Sequence, residues 1–249
     1  MSTCRLLPLL LVTSLLSACT AARAPTTLAG LAVEEHPLLE APALDPLAFK
    51  PVDASMDEVL AVHAAQRSQL LPNDSLLLGG HHALRVTLAD SILTATEYYS
   101  ADGTTGWVAV TRGDQELYRI DTGSASPIAA LRGLWTYDGH WVLETAYITP
   151  DSFAGRLSLD GALLVPREGY EEAFNFQLLD GKPFHFFRKG DWIGLSYDGR
   201  EAGGLYDEIP HYQCCSASAL NPIQAQSMLA FFARRDAVWY YVEIGAFKD

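Results

Sequence analysis

One predicted β-hairpin gathers side chains that could bind a ligand. Its turn is the dipeptide Asp138-Gly139, which supplies the positive φ values of a tight two-residue turn. Because such a turn fixes the strand register, it also decides which side chains share a face. By this register one face carries Trp135, Tyr137, His140 and Glu144. Aromatic rings beside an imidazole and a carboxylate suit a sugar or a peptide, so these four are the candidate ligand-binding residues. The alternative is ordinary sheet packing, with Glu144 at the rim.

A second stretch, Asp121-Thr122-Gly123-Ser124, resembles the active-site loop of aspartic proteases. That chemistry needs two carboxylates that share one proton, and no second Asp-Thr-Gly or Asp-Ser-Gly occurs in the chain. A catalytic pair would therefore require a symmetric dimer. The simpler prediction is a strand that ends in an ordinary turn. The sequence also lacks a Gly-x-Ser-x-Gly elbow, a phosphate loop, a His-Glu-x-x-His helix and a dinucleotide fingerprint, so neither a catalytic residue nor a cofactor is predicted.

Two adjacent cysteines, Cys214 and Cys215, lie near the end of the chain. Consecutive Cα atoms are about 3.8 Å apart across a trans peptide, which is below the usual disulfide range of about 4.4–6.8 Å. A vicinal disulfide between them would be strained, and two buried free thiols are an equal alternative. Together with His211 the pair offers three ligands where structural zinc takes four, so no metal site is predicted.

Short antiparallel strands are the elements that would position these groups. The turn dipeptide Asp-Gly recurs, with strand-forming neighbours, at Asp102-Gly103, Asp138-Gly139, Asp160-Gly161, Asp180-Gly181 and Asp198-Gly199. The repetition predicts a mainly β fold, an antiparallel meander of about 12–14 short strands. Several strands are apolar on both faces and must be covered on both sides. Either a two-sheet sandwich or a propeller-like arrangement of about three or four blade-like units would achieve this.

Smaller features complete the prediction. Ser55-Met56-Asp57-Glu58 has the form of a capping box, and apolar residues follow at helical spacing until Pro72. We therefore expect one helix over residues 56–70 at the start of a single all-β domain, residues 53–249. The pair His81-His82 is predicted to lie in a loop, residues 162–165 are predicted to form a strand, and His185 is predicted to be a core residue.

One segment adds a family resemblance. The run Gly190-Asp191-Trp192-Ile193-Gly194-Leu195-Ser196-Tyr197-Asp198-Gly199-Arg200, followed by Leu205-Tyr206-Asp207-Glu208-Ile209, resembles one unit of the WG-repeat class of bacterial β-repeat proteins. In that class a Gly-bounded strand with a Trp-Gly pair leads into a turn and a Tyr-Asp-x-Ile segment. Ile193 stands where the class has Trp, and the resemblance covers only about residues 174–212. It implies repeated antiparallel strands used for binding, and it carries over no catalytic residue.

The N-terminus predicts export. An apolar run from Leu6 to Leu16 follows Arg5, as in a secretory signal, and it is too short to span a bilayer, which takes about 20 residues. The run ends in Leu16-Ser17-Ala18-Cys19, which resembles a bacterial lipobox. This resemblance implies a signal peptide over residues 1–18, cleavage before Cys19, and attachment of palmitate-like acyl chains to Cys19 that anchor the protein durably in a membrane. The alternative is a secreted protein with an unmodified Cys19. Residues 19–52 are rich in Pro and Ala and are expected to form an extended tether.

Composition and charge restrict the function. The chain of 249 residues is 49% hydrophobic and 19% charged, which suits one globular body. Loss of residues 1–18 leaves 16 basic against 30 acidic residues, a net charge of −14, so a nucleic-acid partner is not expected. We predict an extracytoplasmic lipoprotein of the cell envelope that acts as a binding module for a glycan, a peptide or an envelope protein. The alternatives are an envelope hydrolase using His140, Glu144 and Asp121, and a structural or assembly component.

Overall fold

Antiparallel strands account for most of the structure that is described. The computed structural model describes residues 26–39, 77–78, 81–126, 128–212, 221–224 and 228–245. Its strands are β1 (Thr26–Leu28), β2 (Leu31–Leu38), β3 (Leu77–Leu78), β4 (His81–Leu88), β5 (Ser91–Tyr99), β6 (Thr105–Arg112), β7 (Gln115–Ser124), β8 (Leu131–Tyr137), β9 (His140–Ile148), β10 (Phe153–Leu159), β11 (Ala162–Leu163), β12 (Glu172–Leu179), β13 (Lys182–Lys189), β14 (Trp192–Tyr197), β15 (Arg200–Tyr206), β16 (Ile223–Gln224), β17 (Met228–Arg235) and β18 (Val238–Gly245). One short helix, α1 (Leu164–Glu168), follows β11.

The strands form three sheets. The first has the order β1-β2-β18-β17-β16, and the third is the meander β12-β13-β14-β15. The second has the order β11-β10-β9-β7-β6-β5-β4-β3, with β8 paired on β9. At four of the five Asp-Gly positions the Asp and the Gly both have positive φ, as at Asp138 (φ 47°) and Gly139 (φ 80°). The mainly β meander predicted from these turns is confirmed.

The second sheet packs its strands around a core of its own. The inward side chains of β4–β7 meet those of β8 and β9. This cluster includes Leu84, Leu93, Val110, Leu134, Trp141 and Leu143. The sheet thereby covers its own apolar face, because β8 contacts β4 and β5 in addition to pairing with β9.

The third sheet is covered on both faces, as its apolar pattern predicted. One face packs against the first sheet through a core that includes Leu31, Phe174, Phe184, Phe186, Phe231 and Ile244. The other face packs against α1 and the outer side of β9 and β10, where Val142, Leu157, Leu164, Phe176 and Phe187 meet. A sandwich of sheets describes this arrangement, and it creates the seam in which the candidate site lies.

Three local predictions are corrected by the structure. Residues 26–38, which were assigned to the tether, form β1 and β2, because β2 pairs with β18 and buries Leu31 and Val33. His81 and His82 begin β4 instead of lying in a loop. The strand predicted over residues 162–165 stops at Leu163, and α1 follows it.

Other predictions fall on residues that the structure does not describe. These are the signal peptide, Cys19, the rest of the tether, the helix over residues 56–70, and the pair Cys214 and Cys215. Within the described ranges, no helix is long and apolar enough to cross a membrane.

Candidate functional site

The predicted hairpin register is confirmed. Tyr137 pairs with His140, Trp135 with Val142, and Gly133 with Glu144. The four candidate side chains therefore share one face of the β8–β9 hairpin, yet they lie at different depths. His140 is exposed, Trp135 and Tyr137 are half-buried, and Glu144 is only 2% exposed.

Glu144 lies in the interior, where it holds the third sheet in place. Its carboxylate accepts the backbone N–H groups of Asn175 and Phe176, both at 2.8 Å, and the hydroxyl of Tyr212. Burial raises the pKa of Glu144, against these hydrogen bonds, which favour the charged form. Asn175 has φ 52° and lies in a β-bulge of β12. Glu144 therefore positions the bulge that presents Phe176 and does not itself face an open surface.

A cavity of about 200 Å³ lies in the seam between β8–β10, α1 and the third sheet. Tyr137 and Phe176 line one side, with their rings 5.9 Å apart, and Trp135 supports Phe176 from behind at 5.2 Å. Tyr170, just after α1, lines another side and stacks on Phe187 with 4.4 Å between ring centroids. Part of the predicted aromatic platform thus forms a wall of this cavity.

His185 supplies a buried polar group to the cavity wall. It lies on β13 directly across from Ser196 of β14, and both side chains line the cavity. His185 is 9% exposed, and its Nε2 atom is buried without a hydrogen-bond partner among the residues that the structure describes. Burial lowers the pKa of His185 to about 4, so the imidazole is neutral at pH 7. A neutral ring with an unmet nitrogen is ready to bond a ligand.

The charged groups of the cavity form closed pairs. Glu201 accepts the Tyr170 hydroxyl at 2.5 Å and lies 3.3 Å from Nζ of Lys189. Burial and this carboxylate raise the pKa of Tyr170, so the phenol stays protonated. Arg167 and Glu168 of α1 pair with each other at 2.6 Å. The cavity therefore carries hydrogen-bonding capacity without an unbalanced charge.

The residues named for hydrolysis do not form one centre. His140 and Glu144 are four residues apart on β9, which separates them by about 13 Å along the strand. His140 instead bonds Asp160 through Nδ1 at 2.6 Å. Oδ1 of Asp121 accepts the N–H of Gly123 at 3.0 Å, as expected for a turn. Both oxygens of Glu144 are occupied by donors from β12 and Tyr212.

Two histidine groupings bear on metal binding. His211 bonds the carbonyl oxygen of Ile209 through Nδ1 at 2.6 Å and Glu172 through Nε2 at 2.8 Å. Its ring nitrogens are therefore engaged by groups other than the two cysteines. Elsewhere in the described residues, ligand atoms of Glu34, His36 and Glu243 lie within 4.8 Å of one another. Because two of these three side chains are exposed, and such acidic groups are common without a metal, we assign no metal there.

No protein-family model matches the chain, and no curated protein or solved structure matches it either. The WG-repeat resemblance therefore stays a prediction. The segment that carries it folds as β12–β15, a four-stranded meander.

Sequence reasoning had not assigned His185, Tyr170 and Glu201 to a site. For His185 a signal was present, since the short turn at Gly190-Asp191 sets Lys189 against Trp192 and thus His185 against Ser196. The next turn, Asp198-Gly199, sets Ser196 against Glu201. Three polar side chains in register on one sheet face, beside Phe187, could have indicated a site.

Proposed function

We propose that the protein is a lipid-anchored, extracytoplasmic binding protein of the cell envelope, and that it holds a small ligand in the cavity between β8–β10 and the third sheet. Two separate features support the proposal. The lipobox-like tetrapeptide ending at Cys19 supports the location. The buried, unmet Nε2 atom of His185 in the cavity wall supports the binding role and is the observation that carries it.

The physical argument is that burial of an unsatisfied polar atom costs about 1–3 kcal/mol, so a ligand group that bonds the ring would recover part of that free energy. Here His185 lines a cavity that also has aromatic walls and the hydroxyl-bearing residues Ser196 and Tyr170. An apolar wall with a few convergent polar groups is the usual composition of a small-molecule site. Binding alone accounts for these features, since the candidate catalytic residues lie apart.

The anchor is tested by Cys19→Ser. We expect the unchanged protein to incorporate radiolabelled palmitate and to sediment with membranes after cell lysis. Cys19→Ser removes the thiol that would carry the acyl chains, so the variant should incorporate no label and should leave the membrane fraction. Cys4→Ser is the matched control, because Cys4 precedes the predicted cleavage position, and it should keep both properties. A protein that stays in the cytosol with residues 1–18 attached would contradict the proposed location.

The binding role is tested by filling the cavity. Leu159 lines it and is half-buried, so Leu159→Trp should place an indole in the space that a ligand would use. Ile92→Trp is the control, because Ile92 is 58% exposed and does not line the cavity. Thermal unfolding of the full chain is measured in a detergent without a sugar head group. The probes are methyl glucoside, methyl galactoside, methyl glucuronide, glucosamine and phenol.

At about ten times its Kd a ligand stabilises the folded state by about 1.4 kcal/mol, which raises the Tm of a chain of this size by about 3–5 °C. We expect at least one probe to produce this shift in the unchanged chain and in Ile92→Trp, and none to produce it in Leu159→Trp. A shift that persists in Leu159→Trp, or no shift with any probe, would show that the cavity is not a binding site.

A further inference from the structure

We infer that the ligand is a neutral, hydroxyl-bearing ring of about one monosaccharide unit, and that one of its hydroxyl groups bonds the imidazole of His185. The inference rests on the proposed binding function and names the ligand class for the same cavity. It is carried by three properties of the cavity wall: the chemistry of the unmet nitrogen, the balance of charges, and the size and character of the space.

The unmet nitrogen favours a hydroxyl group. His185 is buried and neutral, so Nε2 either carries a proton and donates or is bare and accepts. A hydroxyl group can donate and accept, so it satisfies either form of the ring. An ammonium group only donates and a carboxylate only accepts, so each would suit only one form. Ser196, directly across from His185, offers a second hydroxyl-matching partner on the same face.

The balance of charges favours a neutral ligand. The acidic groups at the cavity are each paired, Glu201 with Lys189 and Glu168 with Arg167. Glu201 is further occupied by the hydroxyl of Tyr170. A charged ligand would therefore enter without a counter-charge and would lose its hydration beside a neutral imidazole, which is costly. A neutral ligand avoids that loss.

The space favours a single ring with many polar groups. Its volume of about 200 Å³ lies below the range of about 300–1,000 Å³ that is usual for ligand pockets, which suits one sugar ring and excludes an oligosaccharide from full burial. The walls combine the aromatic residues Tyr137, Tyr170 and Phe176 with several hydrogen-bonding groups. Aromatic walls pack on the C–H faces of a sugar ring, and the polar groups match its hydroxyls. A purely apolar ring would leave those polar groups unmet.

The test compares ligand classes and one substitution. The full chain, in a detergent without sugar head groups, is titrated by calorimetry with methyl glucoside, methyl galactoside, methyl glucuronide, glucosamine and phenol. We expect a neutral glycoside to bind at least about tenfold more tightly than the charged sugars and phenol. His185→Phe keeps a ring but removes the nitrogen, and it should weaken binding of that glycoside about tenfold or more. His36→Phe, at an exposed position of β2, is the matched control and should bind as the unchanged chain does.

A second measurement tests the role of His185 even if the His185→Phe variant fails to fold. In protein labelled with ¹⁵N-histidine, the neutral buried ring is recognised as one that keeps its resonance between about pH 5.5 and 8. The glycoside should shift this resonance. A charged sugar or phenol that binds best, with binding blocked by Leu159→Trp, would overturn the ligand class and leave the binding function intact. If no probe binds, both proposals fail. An unmoved His185 resonance, or undiminished binding in His185→Phe, would overturn the role of His185.

Discussion

Glu144→Ala is expected to lower the free energy of unfolding by about 3–5 kcal/mol. The carboxylate joins two sheets, because it belongs to β9 and accepts the backbone N–H groups of Asn175 and Phe176 on β12. Alanine would leave both N–H groups and the hydroxyl of Tyr212 buried without an acceptor, at about 1–3 kcal/mol for each unsatisfied group. Loss of the bulge would also displace Phe176 from the cavity wall, so ligand binding should fall with stability.

Urea unfolding of the full chain measures this effect against two comparisons. Glu144→Gln keeps one acceptor oxygen and should cost about half as much. Glu116→Ala removes an exposed carboxylate from β7 and should change stability by less than about 0.5 kcal/mol. A Glu144→Ala variant as stable as Glu116→Ala would show that the buried carboxylate does not join the sheets.

The raised pKa of Glu144 determines how the stability of the protein should change with pH. Burial raises the pKa of Glu144 above 4.5, so the folded state holds this proton more tightly than the unfolded state does. The stabilisation that this bound proton provides is fully present below the pKa of the unfolded state. It is lost as pH rises through the pKa of the folded state. The unchanged chain should therefore lose stability relative to Glu144→Gln as pH rises through that range.

The sequence predicted which side chains share a face of the hairpin, but it did not predict how deeply each of them is buried. A two-residue turn sets the pairs around Asp138-Gly139 by local geometry alone, and the structure has the predicted pairs. Burial of Glu144 depends on β12, which begins 28 residues later in the chain and bonds its carboxylate. No local sequence pattern predicts that contact, and local spacing alone had suggested the rim of the sheet for Glu144.

The same reasoning explains β2 and the cavity. Pro37 and its neighbours suggested a tether because the partner strand, β18, lies about 200 residues away in sequence and cannot be inferred from local spacing. The cavity is lined in part by α1, a helix of five residues. An apolar run at the start of this helix had favoured a strand. Sequence patterns therefore predicted the class of fold and the local strand registers. The site itself is formed by contacts between segments that lie far apart in the sequence.

Gly123→Ala is the second substitution with a large expected effect, a loss of about 3–5 kcal/mol in the free energy of unfolding. Gly123 has φ +79°, where an alanine is strained by about 1–2 kcal/mol. In addition, a Cβ atom there would overlap the carbonyl oxygen of Ile148, which is backbone and cannot move aside easily. This is the point where β7 meets β9 in parallel. The Asp-Thr-Gly resemblance thus has a structural cause, since only glycine lets the two strands approach.

Gly139→Ala separates the two costs, because Gly139 has almost the same φ, +80°, and a Cβ there meets nothing within 4 Å. It should cost only the backbone strain, about 1–2 kcal/mol. Urea unfolding should therefore place the free energy of unfolding of Gly123→Ala at least about 1 kcal/mol below that of Gly139→Ala. Asp121→Ala loses one exposed turn hydrogen bond and should cost less than about 1 kcal/mol, without loss of ligand binding. If Gly123→Ala and Gly139→Ala proved equally stable, the close approach of β7 to β9 would not be the reason for the glycine. A severe loss of binding in Asp121→Ala, with stability unchanged, would instead point to a functional role for the Asp-Thr-Gly loop.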